Sequence, residues 1–238
     1  MKTARVVRTE RYGAHTRWLE LIADEPLGFV GGQFVTLDTG LVRPNGKPIR
    51  RAYSVLSSDS EQLRFELASR RIPDGPVSGY VHALESHAEL RFTGPWGKFF
   101  PAPGATGETL VLATDTGVTA ALGLLQSRAF EPLLKRATFI WLRSSPDYFL
   151  PDTLVRARVP ADCRTSRIDA ILPIGNPERV DFVRALVARL RETSRFEQAF
   201  ISGDGGVNYA LLDDLVAAGV LCTRDHLESF FNMPKKAT

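Results

Sequence analysis

The chain has 238 residues, 44% apolar and 24% charged, with a net charge of +3, the profile of a soluble protein of two modest domains. No apolar run approaches the ~20 residues of a membrane span and the first ten residues lack a signal-peptide core, so the cytoplasm is the expected compartment. Two cysteines, Cys163 and Cys222, exclude a disulfide framework and a cluster needing about four thiolates, and no compact basic tract points to nucleic acid.

The first hundred residues read as short strands and turns. Ala4 to Thr9 and Thr16 to Ile22 are strand-like, and Gly31-Gly32 leads into a strand at Gln33 to Leu37. A polar loop from Arg43 to Pro48 precedes the strand carrying Arg51-Ala52-Tyr53-Ser54. Leu63, Phe65 and Leu67 alternate with polar neighbours, the period of a half-buried strand. Gly75-Pro76-Val77-Ser78 is a turn opening onto a helix-like segment, Gly79 to Leu84. Glu89 to Phe92 gives one more strand before the turn Gly94-Pro95-Trp96-Gly97. Short strands at such spacing predict a closed antiparallel β-barrel.

Composition changes at Pro101 to Gly107, a linker by its prolines and glycines. Beyond it, strands at Thr109–Ala113, Ala137–Leu142, Ile168–Leu172 and Gln198–Ser202 alternate with helical stretches at Val118–Ser127, Asp181–Arg191 and Asn208–Ala218. Gly219 supplies a C-cap to the last helix. Alternation of this kind predicts a doubly wound parallel sheet. The expected domains are a barrel at 1–103 and an α/β domain at 104–238.

Chemistry concentrates at two places. Arg51, Tyr53 and Ser54 put a guanidinium, an aromatic ring and a hydroxyl at one strand end. Some two dozen residues on, a glycine-led turn offers backbone N–H groups at a helix start. Phosphate binding uses such donors with a fixed cation, and a flat redox ring stacks on an aromatic. Together they read as a flavin nucleotide site. Each part also has a plain reading: Arg51 on Tyr53 as a strand-end cation–π pair, Ser78 as an N-cap, and Phe230 and Phe231 as a core anchor. The four histidines show no ligand spacing, and no metal site is expected.

These segments, in order and over nearly the whole chain, resemble the ferredoxin–NADP reductase superfamily. Arg51 to Ser54 is similar to its R-x-Y-S flavin motif and Asp74 to Ser78 to its phosphate turn. Leu112 to Leu122 stands where the family has a G-G-T-G-x-x-P loop. Ser202-Gly203-Asp204-Gly205-Gly206 stands where it has C-G-P, and Glu228-Ser229-Phe230 resembles its terminal E-x-F. The resemblance implies FAD held by Arg51, Ala52, Tyr53 and Ser54, by Ser69, Arg70 and Arg71, and by Gly75, Pro76, Val77 and Ser78. It implies Phe230, with Phe231 as rival, over the flavin face. Nicotinamide would meet Thr116, Gly117, Ser202, Gly203 and Asp204, with Glu228 positioning the transferring ring. Ser54, Thr116, Ser202, Glu228 and Phe230 are thus the candidate catalytic residues.

The nicotinamide loop departs from the family. It reads Ala113-Thr114-Asp115-Thr116-Gly117-Val118-Thr119-Ala120, keeping one glycine of three. Asp115 either faces the anionic dinucleotide or caps the helix that follows. Arg143 and Ser144, with Arg164 and Arg167, offer charge for a ribose 2′-phosphate, which tilts the expectation slightly toward NADPH over NADH. The expected activity is electron transfer from NAD(P)H through FAD to a separate one-electron carrier, a ferredoxin, flavodoxin or oxygenase component. An acidic carrier suits the mild positive charge, and the chain is expected to be monomeric, with neither membrane nor nucleic acid as partner. The alternatives are a flavin reductase and a non-catalytic FAD-binding subunit whose nicotinamide site is degraded.

Overall fold

Turn chemistry divides the first half into hairpins, and the computed structural model, which describes residues 1–232, shows six strands there. β1 (Lys2–Tyr12) and β2 (Thr16–Ala23) meet across a turn in which Gly13 takes φ +58°. β3 (Phe34–Val42) and β4 (Pro48–Ser54) are joined through Gly46, also left-handed, with Arg43 N–H donating to Lys47 O at 2.8 Å. β5 is Arg64–Arg70, α1 is Pro76–Ala83 and β6 is Glu89–Trp96. The expected turn at Gly94 to Gly97 is thus the end of a strand.

The order β4-β3-β6-β1-β2-β5 is antiparallel throughout. Although β4 and β5 stand at opposite ends of that order, Ser69 Oγ on β5 donates to Tyr53 Oη on β4 at 3.4 Å. The sheet is therefore rolled into a barrel whose β4–β5 seam carries no strand ladder. Its inner face is apolar, from Leu19, Leu21, Val35, Leu37, Leu67 and Leu90, with Phe65 tilted on Phe92 at 5.5 Å. Burial of this kind contributes roughly 1.5–3 kcal/mol per large side chain.

The second half is a five-stranded parallel sheet in the order β11-β10-β7-β8-β9. The strands are β7 (Thr109–Thr114), β8 (Ala137–Arg143), β9 (Thr165–Ala170), β10 (Gln198–Asp204) and β11 (Leu227–Phe231). Every residue of β7, β8 and β10 is buried, as expected of strands covered on both faces. Helices α2 (Val118–Leu125), α3 (Asp152–Arg158), α4 (Arg179–Thr193) and α5 (Gly205–Ala217) make the covering layers. Chain order reverses between β7 and β10, which places a ligand crevice outside their C-terminal ends.

Two elements were not foreseen. α3 has seven residues and β11 has five, too few for a period to show. The expected division at 103/104 falls in the segment between β6 and β7. All eight residues of α2 are buried, because the helix lies between the parallel sheet and the barrel: Trp18, Leu56 and Phe99 share one apolar cluster with Val118, Leu122 and Phe200. Among the described residues no helix is long and apolar enough to cross a membrane.

Candidate functional site

The barrel seam opens into a cavity of about 520 Å³ that both halves of the chain line. β4 contributes Arg51, Ala52, Tyr53 and Ser54, and β5 contributes Ser69 and Arg70. The turn before α1 adds Gly75, Pro76, Val77 and Ser78. From the other side come Thr116, Tyr148, Phe230 and Phe231. Strand pairing explains the first group, since β4 is the edge strand and its last turn of chain has nothing to pair with across the seam.

The turn at the start of α1 presents backbone donors of the kind an anion takes. Pro76 at the first helical position lacks an N–H, and helix geometry leaves the N–H groups of Val77 and Ser78 without intrahelical acceptors. Gly75, the N-cap, supplies no side-chain cap. The Ser78 hydroxyl is used within the turn, donating to Gly75 O at 3.0 Å and accepting from Ile72 N–H at 3.1 Å. A Cβ on Gly75 would lie 2.8 Å from Ser78 Oγ and 2.9 Å from Ile72 Cβ, so only glycine fits. Arg71 does not line the cavity: its Nη1 donates to Gly75 O (3.1 Å) and Ser78 Oγ (3.3 Å), bracing the turn from behind.

Arg51 is exposed, and among the described residues its guanidinium donates only to its neighbour's carbonyl, Arg50 O at 2.9 Å. Ser54 is 3% exposed and its hydroxyl makes no side-chain hydrogen bond among the described residues. Burial raises the Tyr53 phenol above its usual range. Among the described residues, an exposed guanidinium, two helix N–H groups without intrahelical acceptors, an aromatic face and an uncommitted hydroxyl surround one cavity and fit a flavin nucleotide: its phosphates, its flat ring and a polar ring edge.

The nicotinamide side differs from expectation. Asp115 follows β7 in a 3₁₀ turn (Asp115–Gly117), is fully buried and has φ +52°. It stands where a glycine would provide that left-handed backbone, and aspartate is among the few residues tolerating it. Its carboxylate neither faces an anion nor caps α2, whose N-cap is Gly117 without a side-chain bond. Instead Oδ1 accepts from Ser144 N–H (2.9 Å) and Ser144 Oγ (2.6 Å), and Oδ2 pairs with Arg179. Arg179, 2% exposed, also donates from Nε to Asp204 Oδ2 at 3.2 Å and from Nη1 to Ser144 Oγ at 3.0 Å. Burial pushes the Asp115 carboxyl up, against the Ser144 bonds and the Arg179 charge.

Several expected contacts are therefore redirected. Ser202 Oγ donates to Gly117 O at 2.9 Å and supports the loop rather than lining the cavity. Gly117 lies so close to β10 that a Cβ would stand 2.4 Å from Ser202 C. Gly203, at φ +120°, is held for the same reason against Thr114 O. Asp204 caps α5, accepting from Gly206 N–H at 3.0 Å, besides binding Arg179. Arg143 folds back to Pro146 O and Asp152 and lies 5.0 Å over the Trp141 ring. Glu228 sits outside the cavity lining, and burial pushes its carboxyl up to about 7. Among the described residues no cluster of metal-ligating side chains is found.

Sequence reasoning missed Tyr148 and Arg179. Tyr148 lies in the loop after β8 under the Arg70 guanidinium, 4.1 Å from ring centroid to Cζ, tying barrel to sheet; burial pushes its phenol up to about 12. Arg179 sits 64 residues from Asp115 and carries no local signal.

Comparison with known proteins agrees with this geometry. A family model described as the oxidoreductase FAD-binding domain matches residues 4–100. The chain is 35% identical to ferredoxin–NADP reductase B of Sorangium cellulosum over 182 residues, 74% of this chain and 70% of that one. It is 33% identical over 106 residues to the glycine betaine monooxygenase reductase subunit of Pseudomonas aeruginosa, 43% of this chain and only 28% of that protein's length. Among solved structures, the ferredoxin reductase in carbazole 1,9a-dioxygenase superposes with a TM-score of 0.74 at 20% identity, covering 96% of this chain and 68% of that one.

Proposed function

The chain belongs to the ferredoxin–NADP reductase superfamily and is an FAD-dependent oxidoreductase, and from that premise we propose that it passes electrons from NAD(P)H to a separate one-electron carrier in the cytoplasm. The observation that carries the reading is a cavity lined from both sides. Barrel residues Arg51 to Ser54 and Gly75 to Ser78 meet Thr116 and Phe230, which hang from the crevice end of the parallel sheet. Such a place lets a flavin and a nicotinamide ring face each other.

Bound FAD supplies hydride acceptance from the nicotinamide and release of electrons one at a time. Arg51 and the N–H groups of Val77 and Ser78 hold its phosphates, where charge-assisted bonds are strong. Tyr53 packs on the ring, and the Ser54 hydroxyl donates to its polar edge. Phe230, with Phe231 beside it, keeps water off the face that the nicotinamide must reach. Thr116 is the polar contact left for the nicotinamide, since Ser202 is turned to Gly117 O. Burial pushes the Glu228 carboxyl up to about 7, so it can take up or release a proton near neutral pH.

The relatives' names favour a ferredoxin or an oxygenase component as acceptor, and the net charge of +3 suits an acidic one. A free-flavin reductase is disfavoured because the phosphate cradle retains FAD. The test is anaerobic: the FAD-loaded protein is mixed with NADH or NADPH, and flavin bleaching is followed before and after adding a ferredoxin. Bleaching followed by carrier reduction supports the reading. No bleaching with either nucleotide leaves the FAD-binding subunit reading in its place.

A further inference from the structure

The edge of a sheet leaves backbone donors and acceptors facing outward unless something covers them. β9 is such an edge, paired with β8 alone among the described residues. Just past it, Ile171 N–H donates to Arg143 O on β8 at 2.8 Å. Strand geometry repeats every two residues, so Thr165, Arg167 and Asp169 also turn their backbone groups to β8. The N–H and C=O groups of Ser166, Ile168 and Ala170 therefore point away from the sheet. Among the described residues nothing hydrogen-bonds to them.

The strand, Thr-Ser-Arg-Ile-Asp-Ala, is complementary to itself. Laid antiparallel against a second copy about Ile168, it sets Arg167 opposite Asp169 twice and Ser166 opposite Ala170 twice. The backbone agrees with this register. Ile168 on Ile168 and Ser166 on Ala170 become hydrogen-bonded pairs built from outward groups. Arg167 on Asp169 falls in the non-hydrogen-bonded positions between them, where side chains come closest. The two neighbouring registers that the backbone also allows, centred on Arg167 or on Asp169, set like charges face to face, which is unfavourable. One register is thus singled out.

Both charged side chains are available. Arg167 is 47% and Asp169 36% exposed, and they meet within the strand only through Nη2 and Oδ2, at 2.9 Å. α4 continues the surface: Phe182, 44% exposed, borders with Leu186 and Arg189 a groove of about 360 Å³ beside Arg167. A two-fold axis between the paired Ile168 residues keeps both grooves on one face of the joined sheets, next to each other. An acidic carrier has no matching field here, because each arginine on β9 already has its aspartate. None of these residues lines the cavity between barrel and sheet.

From this edge we propose that two copies of the chain pair through β9 as a two-fold dimer, its two five-stranded sheets running as one. The closed symmetry is of the commonest kind, with the same patch used by both partners. A dimer replaces the monomer expected from the sequence, and it stands apart from the electron-transfer reading.

The experiment is sedimentation velocity of the FAD-loaded protein over a concentration series. The parent should reach twice the chain mass. Arg167→Asp sets aspartate against aspartate at both ends of the pairing and should raise the dissociation constant at least tenfold, with the bound-FAD absorbance unchanged. Adding Asp169→Arg rebuilds the pattern with the signs exchanged and should restore the dimer. Ala170→Pro removes one outward N–H at an exposed edge position, where proline is tolerated, and should weaken the dimer without touching charge. A parent that stays monomeric at every concentration overturns the proposal. A dimer that Arg167→Asp leaves intact, or that the double variant does not restore, overturns it as well.

Discussion

The carbonyl oxygen of Gly123 on α2 lies 2.1 Å from the point a Cβ on Gly31 would occupy. The barrel loop meets the helix backbone here, with Ser127 Cβ 2.7 Å from the same point. On the same helix, a Cβ at Gly123 would stand 2.2 Å from Val55 O. The Asp59 carboxylate closes the contact, accepting from Gly31 N–H at 3.1 Å and from Arg128 N–H at 3.0 Å. Barrel and parallel sheet are therefore docked by shape, next to the cavity they share, which Ser54 and Thr119 line.

Gly123→Ala should destabilise the protein by about 1–3 kcal/mol, the range for forcing an extra methyl into a packed site. It should also loosen FAD retention, because the cavity is shared across the interface. Urea unfolding and dialysis of the FAD-loaded protein measure the two effects. A variant matching the parent in both would mean that α2 shifts freely on the barrel.

Arg51→Ala should weaken FAD binding by roughly 1.5–3 kcal/mol, the contribution of a hydrogen bond to a charged group. The apo protein should keep its unfolding midpoint, since Arg51 is exposed and among the described residues bonds only Arg50 O. Fluorescence titration of apo protein with FAD measures the affinity. An unchanged affinity would make Arg51 an ordinary surface cation.

Arg179→Met should cost about 3–5 kcal/mol, because it leaves the buried carboxylates Asp115 and Asp204 without their cation. Arg179→Lys should recover little, since one ammonium cannot serve Asp115, Asp204 and Ser144 at once. Part of the loss in Arg179→Met should return on acidification, as protonation relieves the facing carboxylates. Thermal melts at several pH values test this; a cost under 1 kcal/mol would show that the cluster is solvated.

Glu228 gives a pH dependence whose sign follows from burial. Its carboxyl is pushed up from 4.5 to about 7 in the fold, so between those values the unfolded chain has released a proton that the native protein retains. Stability therefore falls as pH rises through that window and levels off above it. The full effect is at most about 3.5 kcal/mol at ~1.4 kcal/mol per unit. Glu228→Gln should flatten the profile between pH 5 and 8 relative to the parent, in urea titrations at fixed ionic strength. Parallel profiles would place Glu228 in contact with water.

The flavin half was legible in the sequence because its parts are local. Arg51 to Ser54 occupy one strand, and Gly75 to Ser78 one turn whose glycine and proline state their own backbone geometry. Alternation in β5 and the apolar runs of β7, β8 and β10 likewise reveal barrel and parallel sheet, since burial on one face or two imposes a period that neighbouring residues record. The nicotinamide half was not legible. The role of Asp115 depends on Arg179, and that of Arg143 on Pro146, Asp152 and Trp141. Whether a charged side chain is a free ligand or a spent one depends on which opposite charge the fold brings beside it. Composition and spacing carry the charge itself, and only the packing of β7, β8 and α4 against one another fixes its partner.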